Sequence, residues 1–280
     1  MRFHIYRDMK EFGALLPVLE RDEIAHHLMI HNAARYPQDS NGCYAAVEDN
    51  GPCVALQSVT GQPLLVDALD GGIDTTQAAI LAAESLSMDM IRQHKEIVGP
   101  DNVAKPFLET LGKRLGITPS LHMRIGLYRL DTIRMPDKQP EGSFFMCRPT
   151  DVALIEQWRA RYREDVEGEM MPLPRFYRSM QQRIQDGDVY FWMNETPVSM
   201  ACRVRSKRAV FINTVYTPPE YRGQGYSSAL VAALTRYSLV AGNDWCCLFT
   251  DLDDQVSNHI YQMLGYKLYR TFGHWHMTEA

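Results

Sequence analysis

No apolar run in the chain approaches the ~20 residues of a membrane span. The charged stretch Arg7, Asp8, Lys10, Glu11 follows the start at once, without the apolar core of a signal peptide. A cytoplasmic location is therefore expected, with no membrane partner. A basic excess is also lacking. With 29 Lys+Arg against 34 Asp+Glu, the net charge of -5 leaves out the positive field of a nucleic-acid binder. The six cysteines form no C-x-x-C pair, and several sit in apolar strand-like runs, so buried reduced thiols are expected. His27 and His31 have helical i, i+4 spacing, but no third ligand or intervening acid of the H-E-x-x-H kind accompanies them. No metal is expected.

What remains is a folded chain of 280 residues, 45% hydrophobic and 22% charged, with room for two domains of about 140 residues. In the first half, Leu15, Leu16, Leu19, Ile24, Leu28 and Met29 predict an amphipathic helix over 8–32. Strands are expected at 43–48, 53–59 and 63–68, separated by the turn pairs Asn50-Gly51 and Thr60-Gly61. Helices over 75–93 and 102–115 follow, the second closed by Gly116, with strands at 96–99 and 124–130. The polar stretch 132–142, carrying Pro136 and Pro140, reads as a linker.

The second half alternates strand and helix in the order βααβββαβαβ, which implies an α/β mixed sheet with helices on both faces. Its helices are expected at 151–163, 174–185, 224–241 and 254–264, and its last strand from Tyr266. Between Val215 and Leu230 a β-branched strand runs through Pro218-Pro219 into Arg222-Gly223-Gln224-Gly225-Tyr226-Ser227-Ser228 and then a long helix. A strand, a glycine turn and a helix N-terminus make an anion cradle, because first-turn N–H groups and the helix dipole face the ligand. A P-loop is excluded by the missing Lys after Gly225, and a dinucleotide fingerprint is weakened by Ser228 in place of the third glycine.

The segment Arg222–Ser227 resembles the R-x-x-G-x-G/A loop of the GNAT superfamily of N-acetyltransferases, with Ser227 at the last position. Downstream, Ser257-Asn258-His259-Ile260-Tyr261, followed by Gly265-Tyr266, resembles the superfamily's last helix, with Asp254-Gln255 where Asn-Pro is common. The two motifs lie about 30 residues apart, each in the expected secondary structure. The resemblance is detailed over 205–270 and reduces to element order over 143–204. The whole chain looks like bacterial tandem proteins: a degenerate GNAT-like half over 1–131, structural or acceptor-shaping, then a catalytic half over 143–280.

This resemblance implies acetyl-CoA as co-substrate and a small-molecule or peptide amine as acceptor. The pantetheine arm would pair with the backbone of Val215, Tyr216 and Thr217. The pyrophosphate would sit on Arg222, Gly223, Gln224, Gly225, Tyr226 and Ser227, with Ser228 adding a hydroxyl and Asn258 bonding the cofactor arm. Tyr261 is implied as the acid serving the departing thiolate; no base is assigned. Two other functions compete: a CoA-binding sensor without turnover, and a nicotinamide oxidoreductase using Gly223-Gln224-Gly225. The first half carries no second copy of either motif. Its Gly71-Gly72 pair falls in an acidic loop unsuited to a pyrophosphate.

Overall fold

The computed structural model describes residues 1–69, 75–167 and 180–277. Among these, the chain divides into a first unit of 1–125 with 270–277 and a second of 126–167 with 180–269. The compact units thus divide at 125/126, a few residues before the stretch 132–142 read as a linker. One division falls inside the strand Ser120–Leu130 and the other inside Lys267–His276. A continuous hydrogen-bonded strand carries no composition change, so nothing in the sequence marks either point.

The strands are β1 (Arg2–Ile5), β2 (Cys43–Glu48), β3 (Pro52–Ser58), β4 (Leu64–Ala68), β5 (Glu96–Gly99), β6 (Ser120–Leu130), β7 (Ser143–Met146), β8 (Val189–Asn194), β9 (Thr196–Arg205), β10 (Ala209–Tyr216), β11 (Trp245–Asp251) and β12 (Lys267–His276). The helices are α1 (Met9–Phe12), α2 (Leu16–Leu19), α3 (His27–Arg35), α4 (Thr75–Ser85), α5 (Met88–Arg92), α6 (Asp101–Leu115), α7 (Val152–Tyr162), α8 (Met180–Gln185), α9 (Tyr226–Val240) and α10 (Gln255–Met263). The single helix expected over 8–32 is instead three short ones joined by 3-10 turns, and an edge strand precedes them. Gly13 and Pro17 fall inside the apolar pattern and interrupt the i to i−4 ladder. The helix expected over 75–93 also breaks, where Ser87 accepts a hydrogen bond from the Met90 N–H and starts α5. The start of the helix expected over 174–185, and the Gly71-Gly72 loop, lie outside the described residues.

The two units follow one plan. In the first, β1 to β4 are antiparallel neighbours and β5 joins β4 in parallel; in the second, β7 to β10 are antiparallel and β11 joins β10 in parallel. A helix crossover is what a parallel pair requires, and α4 and α9 occupy those places. In the first unit α4 and α6 bury Ala78, Ala82, Val103 and Phe107 against β2 to β5. On β3 the buried Gln57 donates to the Met29 carbonyl of α3 at 2.9 Å, and Asn32 donates to its Oε1 at 3.1 Å. In the second unit α9 covers one sheet face with Leu230, Val231 and Leu234. The other face is covered by α7 and α8 with Ile155, Trp158 and Ile184. Each fully buried Leu or Ile contributes about 1.5–3 kcal/mol. All six cysteines are buried, and burial alone pushes the Cys43 thiol up to about 12.

The last strand has a consequence for truncation. Gly273 to His276 pair with Gly99 to Glu96, so β12 supplies the first unit's β5 with its neighbour. Deletion of 270–280 is therefore expected to lower Tm by several degrees in calorimetry, because it strips the β5 ladder and exposes Phe107-side core at Trp275 and Met277. An unchanged Tm would contradict this pairing. The fragment 142–280 is likewise a poor cut, since it discards Tyr128, whose hydroxyl donates to Asn258 Oδ1 at 2.9 Å.

Candidate active site

Strands β10 and β11 pair in parallel from Ala209↔Trp245 to Ile212↔Leu248, and there the ladder ends although both strands run on to Tyr216 and Asp251. The cause is on the other side of β10. Its register with β9 passes from Asn213↔Cys202 to Tyr216↔Met200, so three steps on β10 face two on β9. This bulge carries Thr214 at φ +51, a left-handed conformation rare for a β-branched residue and a local strain of about 1–3 kcal/mol. The result is a wedge between Asn213–Tyr216 and Phe249–Asp251, where, among the described residues, β10 has no ladder pairing with β11.

At the end of the wedge, Pro218 starts a single 3-10 turn over Pro219–Tyr221, and the chain then enters the glycine loop. Gly223 (φ +77) and Gly225 (φ +81) both need the left-handed region open to glycine. A Cβ on Gly223 would meet nothing within 4 Å, and one on Gly225 would meet only Pro140 Cδ at 3.9 Å. The loop thus presents unfilled space over the start of α9. Gly225 is the N-cap of α9 and no side chain caps that terminus, leaving its first-turn N–H groups to a ligand.

The side chains of the loop mostly brace it. Arg222 pairs with Asp165 at 2.7 Å, donates Nε to the Thr217 carbonyl at 2.9 Å, and lies over the Tyr216 ring. The Tyr216 hydroxyl donates to the same Asp165 carboxylate at 3.1 Å, and its ring is buried against Trp158 and Tyr162. The Tyr226 ring is buried; its hydroxyl donates to Gln224 Oε1 and accepts from Asn194 Nδ2. Only backbone atoms of Tyr216 and Tyr226 are therefore left to face a ligand. Val215 and Thr217 are half-buried along the wedge, with Thr217 Oγ1 2.9 Å from Ser199 Oγ. Ser227 and Ser228 are half-buried in the first turn of α9.

Asn258 lies in the first turn of α10 and reaches back to the turn that leads from β11. Its Nδ2 donates to the carbonyls of Asp251 and Asp254, both at 2.7 Å, while its Oδ1 accepts from Tyr128. Both amide hydrogens are thus committed, and only a spare acceptor lone pair remains for another partner. Tyr261, one turn further, is packed edge-on against Tyr266 in the core that includes Ile212 and Leu248, the last paired residues before the wedge. Its hydroxyl makes no hydrogen bond among the described residues and is not one of the sealed polar atoms. Burial, then the Asp254 carboxylate, raises its phenol above the ordinary range. Asp254, rather than Asp253, caps α10 by accepting from the Val256 and Ser257 N–H groups. Glu220 lies 3.8 Å from Arg161 on the surface.

Four contributors had no local sequence signal: Asp165 in an exposed charged helix end, Asn194 at a hairpin turn, Tyr128 over a hundred residues upstream, and the Thr214 bulge. In the first unit the corresponding strand pair is tight. The β4–β5 ladder ends at Leu65↔Val98, but a Cβ on Gly99 of β5 would fall 2.3 Å from the Val66 carbonyl of β4, so the two strands stay in close approach one residue further on. His27 and His31, the pair weighed for a metal, have ring centroids 5.7 Å apart.

The fold so described is shared with solved structures named as GCN5-related N-acetyltransferases, a tandem protein among them. Residues 192–275 match the family described as FR47-like protein. Among solved structures, a GCN5-related N-acetyltransferase from Sphaerobacter thermophilus is similar with a TM-score of 0.64 at 13% identity, over 99% of this chain and 97% of that one. A GNAT-family acetyltransferase from Colwellia psychrerythraea is similar with a TM-score of 0.56 at 10% identity, over 99% and 100%. A tandem GNAT protein from the clavulanic acid biosynthesis pathway is similar with a TM-score of 0.53 at 12% identity, over 98% and 97%. No curated protein matches the chain. No helix among the described residues is long and apolar enough to cross a membrane.

Proposed function

We propose that the chain is an acyl-CoA-dependent N-acyltransferase of the cytoplasm, moving acetyl from acetyl-CoA to a primary amine of a small molecule or peptide. The observation that carries this is the wedge between β10 and β11 ending on a loop whose two left-handed glycines leave space for a phosphate. Backbone N–H groups of Gly223 to Ser228 at the α9 N-terminus would hold the pyrophosphate, with the Ser228 hydroxyl beside them. Unpaired backbone of Val215 to Thr217 would bond the pantetheine amides as another strand would. Acetyl-CoA supplies an activated thioester: the amine nitrogen bonds the carbonyl carbon, the C–S bond breaks, and the amine proton leaves to solvent.

What the protein adds is placement and polarity. A β10 N–H at the bulge would stabilise charge on the carbonyl oxygen. The Tyr261 phenol, raised by burial, is a poor proton donor but a persistent hydrogen-bond donor, so it stabilises the departing sulfur electrostatically. Asn258 acts on this reading mainly by fixing the β11–α10 turn that holds Tyr261. The first unit, whose corresponding strands stay in close approach at Gly99, serves a structural or acceptor-shaping role.

Tyr261→Phe is expected to lower kcat about 10- to 100-fold with little change in acetyl-CoA affinity, because the hydroxyl acts chiefly in the transition state. A raised phenol stays protonated past its ordinary value near 10, so wild-type kcat should show no basic limb from this group below about pH 10. Steady-state kinetics with an amine panel and thiol detection checks both. Unchanged kcat with lowered Tm would make Tyr261 a packing residue.

A further inference from the structure

Three histidines from two strands far apart in sequence meet in the first unit. His122 of β6 and His274 and His276 of β12 place one ligating nitrogen each within 4.8 Å of the others. His274 and His276 are two apart on a strand and so share a face. His122 stacks on His276 with ring centroids at 4.3 Å and meets His274 edge-on at 5.2 Å. Glu96 of β5 stands directly opposite His276 in the antiparallel register, and its carboxylate lies 3.5 Å from His274 Nε2.

Two observations set this cluster apart from ordinary aromatic packing. The Nε2 atoms of His122 and His274 are sealed from solvent without a hydrogen-bond partner, an arrangement that costs each nitrogen its full desolvation. The three imidazoles also come from two strands far apart in sequence and still bring one nitrogen each within 4.8 Å of the other two.

We propose that His122, His274 and His276 form a binding site for a divalent transition-metal ion, zinc by preference, with Glu96 turning from its place 3.5 Å from His274 Nε2 to supply the fourth ligand. Three imidazole nitrogens and a carboxylate suit zinc and its transition-metal neighbours, whereas calcium and magnesium require mainly oxygen ligands. Zinc–nitrogen bonds of about 2.0–2.1 Å ask the nitrogens to close by roughly an ångström. His122 and His276 are partly exposed and have room to do so. With four protein ligands the site is closed, so the ion's role is structural. It ties β12 to β5 and β6, the strands beside it in this unit.

The test uses the full chain, freed of metal by a chelator and desalted, then titrated calorimetrically with zinc chloride near neutral pH. One equivalent should bind, and a hundredfold excess of free zinc over Kd should raise Tm by about 5 °C. Cobalt chloride should give the intense visible absorption of a four-coordinate site. The double substitution His122→Asn with His276→Asn, at the two partly exposed positions, should weaken binding about 100-fold or more, whereas His31→Asn should leave it unchanged. Zinc uptake without saturation, affinity that survives the double substitution, or the weak spectrum of six-coordinate cobalt in the unaltered chain would overturn the proposal. The cobalt spectrum decides the matter even where a substituted chain fails to fold.

Discussion

Gly225→Glu is expected to abolish acetyl-CoA binding. A carboxylate there would project into the space above the α9 N-terminus, where a Cβ has only Pro140 Cδ at 3.9 Å for a neighbour. It would place negative charge where the pyrophosphate must lie and take up the free N–H groups of the first turn. The left-handed backbone at φ +81 adds about 1–2 kcal/mol of strain for any side chain. Affinity measured by calorimetry should fall about 100-fold or more, which corresponds to about 2.7 kcal/mol. Gly223→Ala separates the terms, since it brings the strain and almost no volume or charge. Its expected loss is tenfold or less. Equal affinities for Gly225→Glu and the unaltered chain, in a folded protein, would remove the cradle from the account.

Asp67→Ala is expected to be the most destabilising single substitution in the first unit. Asp67 is buried on β4, accepts two hydrogen bonds from the Arg270 guanidinium, and lies 3.1 Å from His26 Nδ1. Removing the carboxylate leaves a largely buried guanidinium and a buried imidazole without their partner. Breaking a buried pair in this way costs about 3–5 kcal/mol, which for a domain of this size lowers Tm by roughly 10 °C. The measurement is thermal unfolding of Asp67→Ala beside Asp67→Asn, which keeps the shape and loses the charge. A fall of less than about 1 kcal/mol would mean that Arg270 and His26 find water instead. Because the network lies in the first unit, acetyl-CoA affinity of the folded variant should stay unchanged.

Legibility in the sequence followed the range of the interactions involved. Strands β5 and β11 and the closing Gly116 could be read directly, because β-branched runs and glycine breaks are local signals. The glycine loop could be read for the same reason: no other residue suits φ +77 and +81 in succession so cheaply. Hidden from a linear reading were contacts between distant segments, such as Asp165 on Arg222, Tyr128 on Asn258, and His122 on His276. Asn258 illustrates the limit best. Its place in a motif suggested a bond to cofactor, yet its amide hydrogens close a turn, which motif spacing alone does not reveal. The distance between the stretch 132–142 and the division at 125/126 has the same origin. Prolines and polar residues mark a loop, but which strand completes which sheet is a long-range property.

The central claim is that one wedge, in the second unit, takes one acetyl-CoA. Isothermal titration of the full chain with acetyl-CoA tests this most directly. The account predicts one molecule bound per chain, and none in Gly225→Glu. Two molecules per chain, or one that binds Gly225→Glu with undiminished affinity, would contradict it.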